Sequence, residues 1–355
     1  MKMGLEQLEA KIPPAYRPVG RCAARPPVRW GRKNGDTDRW AQTCATGGAA
    51  VWAALAILAR MEVVRLGAIE LIFLFAALVI VPLGIELARR IEGNGRLEGL
   101  ARRLQPLGAA LAVAATCLPP GKRAALAATG WLFVCALMAL DGVLSLTRLF
   151  RPEDTGTTLL RVTLAVARID LAVAGAWLFA SRLGLQPMGI QEPIGLLTAV
   201  HFHYAGFATA TIAGTTLQFA QRPGRELWLK LVVLAVAGLP YLVAAGFVVA
   251  PALKMSAGLL FSASVAVLAV FLRESAKRAV DPTARVFLQI AAAAVFVAML
   301  FSGAYAVADF LHSDALTIPQ MARTHGILNS VGFCLPALLG WLIELSALGS
   351  GTRDQ

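Results

Sequence analysis

The sequence predicts an all-α, polytopic integral membrane helix bundle of about ten transmembrane helices. Three observations carry that prediction. The chain is 57% hydrophobic and only 15% charged, with a mean hydropathy of +0.67, which no water-soluble domain of this size sustains. Ten segments are apolar over roughly the 20 residues that a bilayer core demands of a helix. Basic residues alternate between rich and poor connections along the chain, as cytoplasmic and external loops do.

The first forty residues hold nine Lys or Arg and two Pro pairs but no apolar run. Residues 1–42 therefore read as a basic, disordered cytoplasmic tail. The membrane domain, 43–348, contains the segments 43–60, 66–88, 104–119, 124–147, 161–181, 194–220, 228–252, 255–272, 285–311 and 323–348. LPPGK at 118–122, RPEDTG at 151–156 and RPG at 222–224 are turn signals between them. A short tail, 349–355, follows. The five cysteines form no CxxC pair and read as small hydrophobes.

With the N-terminus inside, the inner segments carry 25 Lys or Arg and the outer loops 7, Arg168 within helix 5 completing the 33. Both termini are thus expected in the cytoplasm, with the protein multi-pass in the cytoplasmic (inner) membrane. The net charge of +12 is distributed among loops rather than gathered on one recognition helix, so it does not point to nucleic acid. The lipid bilayer is the expected partner. Ten helices divide into five and five, which allows an inverted repeat. Pro82 and Pro240 each fall in the second helix of a half, a match that equally describes two unrelated kinks.

Ionisable groups inside a bilayer need a partner, a cavity or a function. Asp141 in helix 4 and Arg168 in helix 5 fall at similar depth on antiparallel neighbours and are expected to form an interhelical ion pair, with Asp170 as the other carboxylate in reach. The four histidines behave differently. His201 and His203 occupy the outer half of helix 6, His312 closes helix 9 and His325 opens helix 10, all at one side. Glu70, Glu192, Asp309 and Asp314 share that level, and Asn329 lies one turn below His325.

Residues two apart on a helix point about 200° from each other, so His201 and His203 cannot both face one ion. His201 shares a stripe with Thr198, Tyr204, Thr211 and Thr215, suited to a cavity or a hydrogen-bonded seam between helices. His203 shares one with Gly206, Ala210, Ala213 and Gly214, where small side chains admit a neighbouring helix.

The stretches EPIGLLTAVHFHYAGF at 192–207 and MARTHGILNSVGF at 321–333, preceded by LFAALVIVPLG at 74–84, resemble the signature stretches of the YndJ-like membrane protein family. The resemblance covers helices 2 to 10. It implies a transporter-like membrane protein, sometimes with a soluble domain after the membrane part, and singles out His201, His203, Tyr204, Gly206 and Phe207 together with His325, Gly326, Asn329, Gly332 and Phe333.

Three readings follow from these residues. A transporter or channel would use His201, His203, Tyr204, Asp309, His312, His325, Asn329 and Glu70 to bind a small solute or relay protons. A metal- or haem-binding membrane protein would recruit His203 and His325 as ligands. A membrane enzyme acting on a lipid or isoprenoid would use Glu70, Asp309 or a histidine as acid or base. No GxSxG, HExxH, Walker A or GxGxxG motif supports the enzyme, and the residues name no cofactor.

Overall fold

The computed structural model describes residues 35–147, 158–220 and 224–351. The expected turn at 151–156, most of the basic tail and the last four residues lie outside them. Among the described residues the chain forms ten helices: α1 (Gly35–Arg60), α2 (Ala68–Glu92), α3 (Arg96–Cys117), α4 (Lys122–Leu146), α5 (Thr158–Leu183), α6 (194–219), α7 (Glu226–Val249), α8 (Pro251–Ala276), α9 (Pro282–Phe310) and α10 (318–351). Each contains or largely overlaps one of the ten apolar segments read from the sequence. α1 begins earlier than the apolar run that marks it, inside the expected tail.

Eight of these helices are long and apolar enough to cross a membrane, the exceptions being α3, with charges in its first turns, and α6. α6 owes its lower hydropathy to His, Thr, Gly and Tyr, and its position explains why they are tolerated. From Phe202 to Leu217 every residue except Ala205 is buried, so neighbouring helices rather than lipid surround it. Sequential helices pack side by side: α3 on α4, α4 on α5, α7 on α8, α8 on α9 and α9 on α10. α2, α6 and α10 meet one another between them.

Those three central helices are the ones that depart from α geometry. α2 carries a π segment at Ala76–Ile80, α6 at Phe202–Ala208, and α10 two, at Ala322–Gly326 and Leu328–Cys334. In α2 the cause is Pro82. It has no N–H for the Leu78 carbonyl and its ring pushes that carbonyl aside, and just ahead of it the ladder slips to i+5, with the Val81 N–H reaching Ala76. Pro336 stands two residues after the second π segment of α10, the same offset that Pro82 has in α2. Pro240, expected to break α7, lies within a helix assigned as α throughout.

Displaced carbonyls inside a membrane must find other partners. Gln105 of α3, fully buried, donates its Nε2–H to the Ala77 carbonyl at 2.9 Å. The Leu78 carbonyl faces Gly48 of α1, where a Cβ would stand 2.2 Å from the oxygen. Glycine is required there for α1 to approach.

The end of α2 and the start of α3, which carry Glu92 and Glu98, are joined to the interior of α5 by buried charge. Glu86, 1% exposed, receives Arg89 in a bidentate pair and Arg90 at 3.1 Å, with Arg102 at 3.7 Å. Arg90 reaches on to the Leu342 carbonyl and the Ser346 hydroxyl of α10. Arg168 does not pair directly with Asp141. Its guanidinium meets Glu92 at 2.7 Å and Glu98 at 3.8 Å. Asp141 instead accepts the Leu97 and Glu98 backbone N–H groups at 3.1 and 3.4 Å, capping the first turn of α3 from a different helix. A Cβ on Gly95 would collide with that carboxylate at 2.1 Å. Glu344 of α10 does the same for the Val280 and Asp281 N–H groups ahead of α9.

Two outcomes are expected. In a chain whose native cysteines are replaced, a cysteine at exposed Gly189 should react with an impermeant maleimide in intact cells and one at exposed Lys277 only after permeabilisation; the reverse pattern would invert the orientation. Arg168→Gln, which strands two buried carboxylates, should cost about 3–5 kcal/mol, read as a lower thermal midpoint in detergent. Adding Glu98→Gln should recover part of the loss, and an unchanged midpoint in the single variant would refute the cluster.

Candidate functional site

From the level of the ionic layer to the opposite end of the bundle, the three π-interrupted helices come together through residues in the stretches that the sequence singled out. Gly84 of α2 lies under the Phe207 ring of α6, and Gly326 of α10 under the Ile72 side chain of α2; a Cβ at either would be within 2.6 Å. The Tyr204 hydroxyl crosses from α6 to donate to the Ile72 carbonyl at 2.9 Å, with Ser330 of α10 within hydrogen-bonding reach. The absence of side chains at Gly84 and Gly326 thus sets the spacing, and Tyr204 ties it.

The His201 stripe works differently from a hydrogen-bonded seam. Thr198, Thr211 and Thr215 each donate to the carbonyl four residues back in α6 itself. Tyr204 is the member that crosses between helices. The stripe containing His203 does admit a neighbour: α5 packs on it, with Asp170 against Gly206 and Leu160 and Leu164 against Gly214.

The two histidines of HFH have opposite surroundings. His203 is fully buried, stacked on Trp131 at 5.8 Å and edge-on to Phe73 at 5.3 Å. Its Nδ1–H donates to the Ala199 carbonyl at 2.7 Å while its Nε2 accepts the Trp131 indole N–H at 3.1 Å. Both nitrogens are engaged, which fixes a neutral tautomer. His201 has its Nδ1 pinned to the Leu197 carbonyl at 2.7 Å, but its side chain is exposed. Its Nε2 has no hydrogen-bond partner among the described residues.

His325 of α10 lies within electrostatic range of His201. Its Nδ1 pairs with the Ala298 carbonyl of α9 at 2.9 Å, and the Asn329 amide donates to its Nε2 at 2.9 Å. Asn329 sits one turn along α10, the spacing that puts i and i+4 on one face. His201 of α6 and the hydrogen-bonded pair His325–Asn329 of α10 make up a polar cluster, with Ser330 next to Asn329 along α10. Ser330 is the member that sequence reasoning left out, and its position one residue from Asn329 was the available signal.

The remaining expected site residues are placed elsewhere. Glu70 accepts the Gly67 N–H at 3.1 Å and Glu192 the Leu196 N–H at 3.2 Å, so these two carboxylates cap the starts of α2 and α6. Asp309 pairs with Lys254 of α8 at 2.7 Å, and Lys254 lies over the Phe247 ring. His312 is exposed in the turn that ends α9, with φ of 53° where the Ser313 N–H reaches back to Ala308. That is a left-handed helix-capping position. Among the described residues no three His, Cys, Asp or Glu side chains are disposed to hold a metal ion.

Comparison with known proteins agrees with the stretches that form this junction. Over 218 residues the chain is 33% identical to a Bacillus subtilis (strain 168) protein named "Uncharacterized membrane protein YndJ", an alignment spanning 60% of this chain and 38% of that one. No solved structure matches. The YndJ-like protein family matches residues 71–333, a span from α2 into α10 that takes in all three π-interrupted helices, and the chain belongs to that family.

Proposed function

We propose that this chain is a transporter-like membrane protein that takes up a proton, alone or with a small solute, at the His201, His325 and Asn329 cluster. The observation that carries the reading is the exposed His201 imidazole at the junction of three π-interrupted helices. π segments concentrate at functional sites because the slipped ladder is costly to keep, and α2, α6 and α10 hold theirs side by side. Imidazole changes charge near neutral pH. His201, with one nitrogen held by its own helix and the other open, is built to gain a proton without moving. His325, already bonded at both nitrogens, senses that charge from the neighbouring helix and holds Asn329 in place. The charge asymmetry of the loops supports placing this end of the bundle outside the cytoplasm.

The ionic layer at the other end supports an asymmetric molecule. There Glu86, Glu92, Glu98, Asp141 and Arg168 bind α2, α3, α4 and α5 together, and Arg90 reaches α10. A bundle closed at one face and polar at the other is the form expected of a carrier loaded from a single side.

The test is proton movement into liposomes. Vesicles containing the purified protein and internal pyranine, given a potassium diffusion potential with valinomycin, should change internal pH faster than empty vesicles. His201→Ala should slow that change by at least about tenfold while the protein keeps its melting behaviour. His203→Ala should act in the opposite sense, leaving the buried Trp131 N–H unpaired and costing about 1–3 kcal/mol of stability. Rates equal to those of empty vesicles in the wild type would end the proton reading.

A further inference from the structure

A second titratable site lies deeper in the bundle, away from the histidines. Asp170 is 0% exposed and stands twelve residues after the start of α5 at Thr158 and thirteen before its end at Leu183. At 1.5 Å per residue that is about 18–20 Å from either end, the middle of the helix. One carboxylate oxygen, Oδ1, accepts the hydroxyl of Tyr241 from α7. The other, Oδ2, is buried without a hydrogen-bond partner among the described residues. It is aimed at Gly206, where a Cβ would lie 2.7 Å from it. Gly206 belongs to the π segment of α6, so the carboxyl fills the place that a side chain would take.

The charged and titratable groups around it are committed elsewhere. Arg168, two residues earlier on α5, is turned to Glu92 and Glu98. On α4, Cys135 lies against Gly175 and Asp141 caps α3. On α6, His203 is bonded to Trp131 and Ala199. On α7 the facing group is Tyr241 itself, which is 38% exposed and packs edge-on against Phe202, the residue after His201. An ionised carboxylate buried in a membrane bundle without a cation is strongly disfavoured, whereas a protonated one is tolerated.

We propose that Asp170 is a proton-binding carboxyl inside the bundle, taking its proton on Oδ2 and holding the charged form through Tyr241 when the proton leaves. Tyr241 donates to Oδ1 in either state, so one O–H bond forms or breaks at Oδ2 and nothing else changes. The inference rests on the proton-handling reading and names the group that carries the proton past the histidine cluster. The two sites are close along α6: Phe202, which follows His201, packs edge-on against Tyr241, the residue hydrogen-bonded to Asp170.

The experiment uses dicyclohexylcarbodiimide, an apolar reagent that partitions into bilayers and adds a protonated carboxyl across its C=N bond. Full-length protein in liposomes is treated over a pH series, digested, and the peptide carrying Asp170 followed by mass spectrometry. Labelling of Asp170 is expected at acid and neutral pH, falling as pH rises, and it should vanish in Asp170→Asn. Tyr241→Phe, which keeps the ring and removes the hydrogen bond favouring the anion, should move the fall to higher pH by about one unit. Folded wild-type protein left unlabelled at Asp170, or labelled at one rate throughout the series, would overturn the proposal. An unmoved fall in Tyr241→Phe would overturn the part given to Tyr241. A titrating label in protein that passes no protons would sink the transport reading and leave the site, while proton uptake with Asp170 unlabelled would do the reverse.

Discussion

Pro82 has no N–H to give the Leu78 carbonyl, and in a hydrocarbon core that carbonyl cannot turn to water. Much of the bundle's interior is arranged around this one missing donor. The ladder slips to a π segment at Ala76–Ile80. Gln105 is buried in order to serve Ala77, α1 is drawn in through Gly48 because the Leu78 oxygen occupies the space a side chain would need, and Tyr204 comes from α6 to the Ile72 carbonyl just ahead of the slip. Three helices are thereby fixed against α2 by hydrogen bonding or close contact around a single stretch of backbone. Hydrophobic burial between helices contributes little specificity in lipid, where the surroundings are as apolar as the side chains, so such polar and steric fixtures carry a larger share of the assembly.

The ten helices were legible in the sequence because hydropathy and loop charge are local properties, and each survives any arrangement in three dimensions. Depth was legible too. Gly142, next to Asp141, packs against Arg168, the level that residue counting along antiparallel helices gives, although the two charges do not pair. Azimuth was not, since Arg168 turns to Glu92 and Glu98, which look in the sequence like ordinary charges at helix ends. The same limit divided the histidines. That His201 and His203 face apart follows from 100° per residue, but which of them is open depends on where α4 puts Trp131. Pro82 and Pro240 look alike on paper, and Pro336, which follows a π segment at the same offset as Pro82, gave no stronger signal than either.

The carboxylates expected beside the histidines illustrate why residue type alone overstates a site. Glu70 and Glu192 are drawn to helix starts, where unpaired N–H groups and the helix dipole favour negative charge. Asp309 has Lys254. Once these local demands are met, the polar groups left at the π junction are few, and the cluster is small because most of its apparent members had prior obligations. Sequence gathers residues by depth; backbone satisfaction then selects among them.

The ionic layer also bears on how the chain is made. Arg168 lies 76 residues after Glu92, so at about 5–20 residues per second synthesis takes about 4–15 s to deliver the cation after the carboxylate has been laid down. Until then Glu92 and Glu98 are without that partner, although Arg89 and Arg102, made earlier, lie within electrostatic range of Glu98. The arrival of α5 completes the layer. Residue order thus leaves the pairing at this face to be completed by the fifth helix.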